Sequence, residues 1–180
     1  RYASLVEQIL QSRGTVEIRW AEVQAITPQA MKTRHHGDYH LGQVLLHKDD
    51  VIIIDFEGEP SRPLAERRAK HSPLRDVVGM LRSFNYAASA ALRQATADGT
   101  GDRANLITCI NNWEQQTRNA FLASYTEVVQ DSPAYPADPD QLQMLLELFA
   151  LEKVCYELRY EMDNRPDWIE VPLAGLRELL

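Results

Sequence analysis

Apolar side chains at Tyr2, Leu5, Val6, Ile9 and Leu10 recur with the helical period, so residues 1–12 predict a helix that Ser12-Arg13-Gly14-Thr15 should break. Over 16–32 only Trp20, Val23 and Ile26 stand out, and Pro28 is placed to start a short helix, giving a helical lead-in across 1–32. The pattern then changes. Val44-Leu45-Leu46 and Val51-Ile52-Ile53-Ile54 are short, apolar and rich in β-branched residues, with His47-Lys48-Asp49-Asp50 between them. That is the signature of a hairpin with strands near 44–46 and 51–54. Gly58, Pro60, Pro63 and Pro73 make 57–73 an irregular loop.

The remainder, 74–180, predicts a helical body. Leu74–Ala95 carries Leu74, Val77, Val78, Leu81, Phe84 and Ala88 on one face, and the loop from Thr96 to Asp102 ends it. A second helix spans 103–130, with Leu106, Ile107, Ile110, Trp113, Ala120, Phe121, Tyr125 and Val128 as its core stripe. A Pro- and Asp-rich linker covers 131–140. The third helix runs from about Gln141 to Met162 and stops near Asn164-Arg165-Pro166, because Pro166 pushes its predecessor out of the helical region. A short element from Trp168 to Leu180 closes the chain. The fold class is mainly α with one small β-hairpin, in a single domain over 1–180.

Composition narrows the function. A net charge of −7 argues against nucleic acid as a main partner, since phosphate backbones are gripped through clustered Lys and Arg. The one basic cluster, Arg62, Arg67, Arg68, Lys70, His71 and Arg75, is interrupted by Glu66 and Pro73 and reads as a solvated helix-loop surface ahead of a contact with a nucleotide or another subunit. No apolar run approaches the roughly 20 residues that a membrane span requires. Two cysteines, Cys109 and Cys155, lie in helical patterns and read as small core residues in a reducing cytoplasm.

The hairpin is bracketed by polar residues of a particular kind. His36-Gly37-Asp38-Tyr39-His40-Leu41-Gly42-Gln43 precedes it and Asp55-Phe56-Glu57-Gly58 follows. Phosphoryl transfer to a hydroxyl needs a carboxylate to take the proton and further oxygen ligands to hold Mg²⁺ against the phosphates. The two ends of a hairpin lie side by side, so this order of residues brings such groups together. In the protein-kinase pattern an amide follows the catalytic Asp by five residues and Asp-Phe-Gly follows a hairpin. Here Gln43 stands five residues after Asp38, and Asp55 opens Asp-Phe-Glu-Gly. His35, His36, Asp38 and His40 are also zinc-ligand types, but Gly37 breaks the helix that a zincin motif needs.

At these residues the chain resembles aminoglycoside and choline kinase-like phosphotransferases, relatives of the protein kinases. The longer runs His36–Leu45, Ile54–Pro60, Arg62–Lys70 and Ser72–Val77 look like bacterial maltokinase. So do Leu151-Glu-Lys-Val, Tyr156–Glu161 and Asn164-Arg-Pro-Asp-Trp168. The resemblance covers roughly residues 30–180. It implies the helical C-terminal lobe of the kinase-like fold, with 33–58 as catalytic loop and metal hairpin. It also implies ATP-dependent phosphorylation of maltose to maltose 1-phosphate in trehalose and α-glucan metabolism. Asp38 would be the catalytic base, and Gln43 and Asp55 the magnesium ligands. Gln43 departs from the wider kinase pattern, which has Asn, although maltokinases carry Gln there. His36 would brace the loop. Asp76 would either favour its helix N-terminus or anchor the loop backbone. Lys153, Tyr156 and Tyr160 share a helix face that would contact sugar or pack as core.

Residues 1–35 contain neither a Gly-rich loop nor a strand placing a Lys on the phosphates. The expectation is therefore a lobe cut from a longer protein, with its nucleotide lobe missing and inactive alone. Its partners would be maltose, the missing lobe, a fused trehalose synthase domain, or a second copy at the exposed hairpin. The alternatives are a kinase for another small hydroxylated substrate, such as an aminoglycoside or choline, and a non-catalytic module stabilising an amylase-type trehalose synthase.

Overall fold

The computed structural model describes residues 2–14, 16–18, 21, 27, 29–99 and 101–180. Trp20, Val23, Ile26 and Pro28 lie outside the described residues, as does the predicted element they were read into. The chain falls into two compact units, Met31–Tyr135 and Arg1–Ala30 with Pro136–Leu180.

The Met31–Tyr135 unit holds the hairpin and two long helices. Strands β1 (Val44–His47) and β2 (Asp50–Ile53) pair antiparallel, with Val44 opposite Ile53 and His47 opposite Asp50. The turn is only Lys48-Asp49, tighter than the four residues expected. Lys48 takes φ +54°, the left-handed value that two-residue hairpin turns demand at their first position. Within the loop predicted over 57–73, residues Leu64–Arg68 form the short helix α2. Strong helix formers follow Pro63, with Glu66 in the first turn and Arg67 and Arg68 in the last, so the ends match the helix dipole.

Helix α3 (Leu74–Ala97) buries Leu74, Val77, Val78, Leu81, Phe84 and Ala88, the face read from the sequence. It packs on α4 (Arg103–Val129), where Phe84 meets Phe121 edge-on at 5.8 Å. Tyr125 continues the aromatic row to Tyr135, whose hydroxyl bonds Thr126 at 3.1 Å. The stripe expected for α4 is only partly covered. Trp113, Ala120 and Val128 are exposed, because α3 shields the flank through Ile107, Glu114, Phe121 and Tyr125. On that flank Asn85 donates to Glu114 at 2.7 Å and accepts from the buried Arg82 at 2.9 Å. A polar network thus occupies space the hydrophobic pattern assigned to packing. The segment before the Asp38 loop is pinned to the end of the unit, Met31 N donating to the Pro133 carbonyl at 2.8 Å.

In the other unit, α1 (Ala3–Gln11) ends at Ser12, whose hydroxyl donates to the Gln8 carbonyl. The predicted break there is a single turn residue, Ser12. Arg13 and Gly14 are helical again, and Val16 N donates to Ser12 O at 3.1 Å. Thr15 lies outside the described residues. Helix α5 (Pro139–Asn164) starts with Asp138 as N-cap and Pro139 at the first position. A single 3₁₀ turn, Pro166–Trp168, leads to α6 (Glu170–Leu179). Val154, Val171, Leu173 and Leu176 are buried, and so are Glu157 and Glu161. Sequence pattern gave no sign of the buried carboxylates. Glu161, 1% exposed, is gripped by both ends of the Arg165 guanidinium at 2.6 and 3.0 Å. Cys109 and Cys155 are exposed free thiols, not the core residues anticipated. No helix among the described residues is long and apolar enough to cross a membrane.

Candidate active site

The loop carrying Asp38 is fixed from three directions. Upstream, Thr33 and His71 exchange backbone hydrogen bonds at 2.9 and 3.0 Å. From below, Asp76 in the first turn of α3 accepts from His36 N at 2.6 Å and Gly37 N at 2.9 Å, one carboxylate oxygen each. Asp76 thus joins the first turn of α3 to the backbone of residues 36 and 37. Gly37, at φ +86°, passes so close to the Asp55 loop that a Cβ there would meet Gly58 Cα at 3.3 Å.

The third tie is the His36 ring, which is buried at 6% exposure. Its Nδ1 accepts from Asp38 N at 3.3 Å, so the proton sits on Nε2, which donates to the Ile54 carbonyl at 2.8 Å. One neutral imidazole thereby spans the backbone of Asp38 and the residue preceding Asp55. Tyr39 and Phe56 flank the ring at 5.6 and 5.0 Å between centroids.

Gln43 closes a 3₁₀ turn, Leu41–Gln43, and opens β1. Its carbonyl accepts from Ile54 N at 3.0 Å, extending the ladder by one bond beyond Val44 and Ile53. Its side-chain Nε2 donates to Asp55 Oδ2 at 3.0 Å. Asp55 holds φ +62°, a strained value for a non-glycine residue and one that recurs at functional sites. The loop beyond it is held by Arg67 of α2, whose Nη1 donates to the Glu57 carbonyl at 3.2 Å.

Electrostatics around the loop follow burial. The His35 imidazole is pushed below its ordinary value, first by burial and then by Arg75, Arg62 and His36, with Asp76 opposing. Its ring meets His71 edge-on at 5.2 Å, and its Nδ1 is buried with no hydrogen-bond partner. The Tyr39 phenol is pushed up by burial and by the Asp76 charge.

Of the residues singled out in the sequence, Gln43 and Asp55 touch, and Asp38 is joined to the Asp55 segment through His36. Lys153, Tyr156 and Tyr160 lie on α5, in the other unit. There the tyrosine rings stack at 6.3 Å and Lys153 Nζ stands 5.0 Å from the Tyr156 centroid. Sequence reading missed Arg67, because α2 was read as loop, and Gly79 of α3, where a Cβ would come within 2.5 Å of the Tyr39 carbonyl oxygen. A glycine inside a helix, in its second turn, was the available signal.

The Gln43 and Asp55 groups suit a divalent cation that prefers oxygen. Turning the Gln43 amide about its last bond exchanges Nε2 for Oε1 and sets a neutral oxygen beside a carboxylate, a donor set that fits Mg²⁺.

No protein-family model matches the chain. A glucosamine kinase of Streptacidiphilus jiangxiensis is 30% identical over 146 residues, covering 81% of this chain and 31% of the relative. A glucosamine kinase of Mycolicibacterium smegmatis is 32% identical over 149 residues, with 81% and 34% covered. The chain spans about a third of the length of the curated relatives it matches. Among solved structures, a glucosamine kinase in complex with glucosamine, ADP and inorganic phosphate superposes on 99% of the chain, with TM-score 0.79 and 24% identity. A second crystal form gives 0.75 and 25%, and the chain covers 40% and 41% of these two structures. The fold is therefore that of part of a glucosamine kinase, and the chain's relatives are sugar kinases.

Proposed function

We propose that this chain is the catalytic lobe of an ATP-dependent sugar kinase, completed by a nucleotide lobe. The observation that carries the reading is the Gln43–Asp55 contact at the mouth of the hairpin, with the Asp38 loop tied to the same point through His36. Asp38 accepts the proton of a sugar hydroxyl. The freed oxygen bonds to the γ-phosphorus of ATP, the bond from that phosphorus to the bridging oxygen breaks, and ADP leaves. Gln43 and Asp55 hold Mg²⁺, which when bound offsets charge on the phosphate oxygens. Asp76, His36 and Arg67 keep the two loops in register.

The nucleotide lobe has support in the hairpin. Leu45, Leu46, Val51 and Ile52 are exposed, Leu46 at 84%, and apolar residues so placed call for a covering partner. A cytoplasmic setting suits both ATP use and two exposed free thiols.

Two sugars compete. Maltose, with a fused trehalose synthase domain, is supported by the motif runs at 36–45, 54–60 and 62–77. Glucosamine is supported by relatives that align over 81% of the chain and carry that name, and it is the reading favoured here. A sugar-contacting role for Lys153, Tyr156 and Tyr160 belongs to the same proposal, supported by their stacked aromatic surface. The test is ADP release by the polypeptide that includes the nucleotide lobe, offered each sugar in turn. Glucosamine-dependent release lost in Asp38→Asn supports the reading, and release with maltose alone restores the other sugar. Release with no sugar at all would overturn both.

A further inference from the structure

Sequence alone reads His40 as packed or hydrogen-bonded near the hairpin, and its two nitrogens face different parts of the site. Nδ1 accepts from Gly42 N at 3.0 Å, capping the 3₁₀ turn that ends at Gln43. That bond uses the Nδ1 lone pair, so in the neutral ring the proton is on Nε2. Nε2 stands 3.7 Å from Asp38 Oδ2. The distance is longer than a hydrogen bond, but such contacts in a resting site are often loose and tighten when substrate is bound. Gly42 is adapted to this arrangement, because a Cβ there would lie 2.8 Å from the His40 ring.

We propose that His40 is a positioning residue that couples the orientation of the Asp38 carboxylate to the turn presenting Gln43. Its Nε2–H faces Oδ2 and so sets the plane in which the carboxylate meets the hydroxyl proton. Its Nδ1 fixes the turn, so base and metal ligand are set by one ring. This rests on the kinase reading above.

Two substitutions separate the functions of the ring. In His40→Asn the short amide oxygen can still accept from Gly42 N, as in an Asx turn, but the side chain no longer reaches Asp38. His40→Ala loses both contacts. In the polypeptide that includes the nucleotide lobe, His40→Asn should keep its melting temperature, its sugar KM and its Mg²⁺ requirement, while kcat falls about 10-fold, a fraction of what a general base supplies. His40→Ala should show the same fall and need more Mg²⁺. In an Asp38→Asn background, His40→Asn should cause no further loss, since residues acting as a unit are not additive. Unchanged kcat in His40→Asn, or a further fall in the double variant, overturns the inference.

If Asp38→Asn itself turns over normally, the kinase reading fails, and the inference with it. If Asp38→Asn is inactive and His40→Asn is normal, only the inference fails. A readout on the 180-residue chain needs no activity. Long-range proton–nitrogen spectra should show the uncharged His40 ring as its Nε2–H tautomer. The Nδ1–H tautomer would refute the assignment.

Discussion

Gly79 lies directly against the Tyr39 carbonyl, so closely that a methyl group on its Cα would approach the oxygen to 2.5 Å. The loop after Asp38 rests on the backbone of α3 at this point, and the obstacle to a side chain is main chain, which does not swing aside. Gly79→Ala should therefore lift the loop or bend the helix. The cost should be about 1–3 kcal/mol, as for other overpacked interiors. Chemical denaturation of the 180-residue chain measures it, and a variant as stable as the native chain would show that the contact is not as tight as described.

Asp76 holds two adjacent amides, His36 N and Gly37 N, with one oxygen each. Asp76→Ala leaves both donors unanswered in a half-buried place and should destabilise by about 2–4 kcal/mol, since hydrogen bonds to a charged group are among the stronger ones. Hydrogen exchange at residues 36–38 should accelerate most. If exchange rose uniformly across the chain, Asp76 would be a general prop rather than an anchor for this loop.

How much of this was legible in the sequence varies by element. The pairing of the hairpin and the inner face of α3 were read correctly because period and apolar content agree there, from Val44 to Ile53 and from Leu74 to Ala88, but the strands that such a pattern makes half-buried stand almost wholly exposed. The α4 stripe misled, since apolar spacing says which side is apolar but not how much a single partner helix covers. Helix α2 was hidden by its flanking prolines. Spacing also put Gln43 beside Asp55, because a hairpin's ends must meet. It did not show the two-sided wiring of His36 and His40, which depends on ring orientation that only coordinates supply.

His35 makes stability depend on acidity. Its folded-state value is lowered, chiefly by burial, so the folded protein resists taking a proton that the unfolded chain accepts near pH 6.5. The contribution is complete above that value and drains away as pH falls below it, toward the lower folded value. Melting temperature should drop between neutral pH and about pH 5, and His35→Gln should flatten that drop. An identical pH profile in the variant would assign the acid sensitivity to another group.

The exposed hairpin should make the isolated chain associate. Leu46 at 84% and Val51 at 52% exposure stand in water together with Leu45 and Ile52. Sedimentation velocity at rising concentration should reveal dimers, and Leu46→Glu should abolish them. A native chain monomeric throughout would mean that the strand faces are soluble as they stand.

The same chain should hold Mg-ATP only at millimolar concentrations, because one carboxylate and one amide cannot grip phosphates without opposing cations and backbone donors. Calorimetric titration decides this. Micromolar affinity would show that residues 1–180 already contain a nucleotide site.

The hairpin constrains number rather than kind. Gln43 meets Asp55 because the rungs from Val44–Ile53 to His47–Asp50, and the extra bond from Ile54 to Gln43, count out to a two-residue tip. Losing one residue from a strand would slip the pairing and swing the following side chains to the opposite face. A change of side chain at Asp49 leaves the meeting of Gln43 and Asp55 as it is. Among descendants of a common ancestor, single-residue insertions and deletions between Gln43 and Asp55 should be purged more strictly than substitutions there.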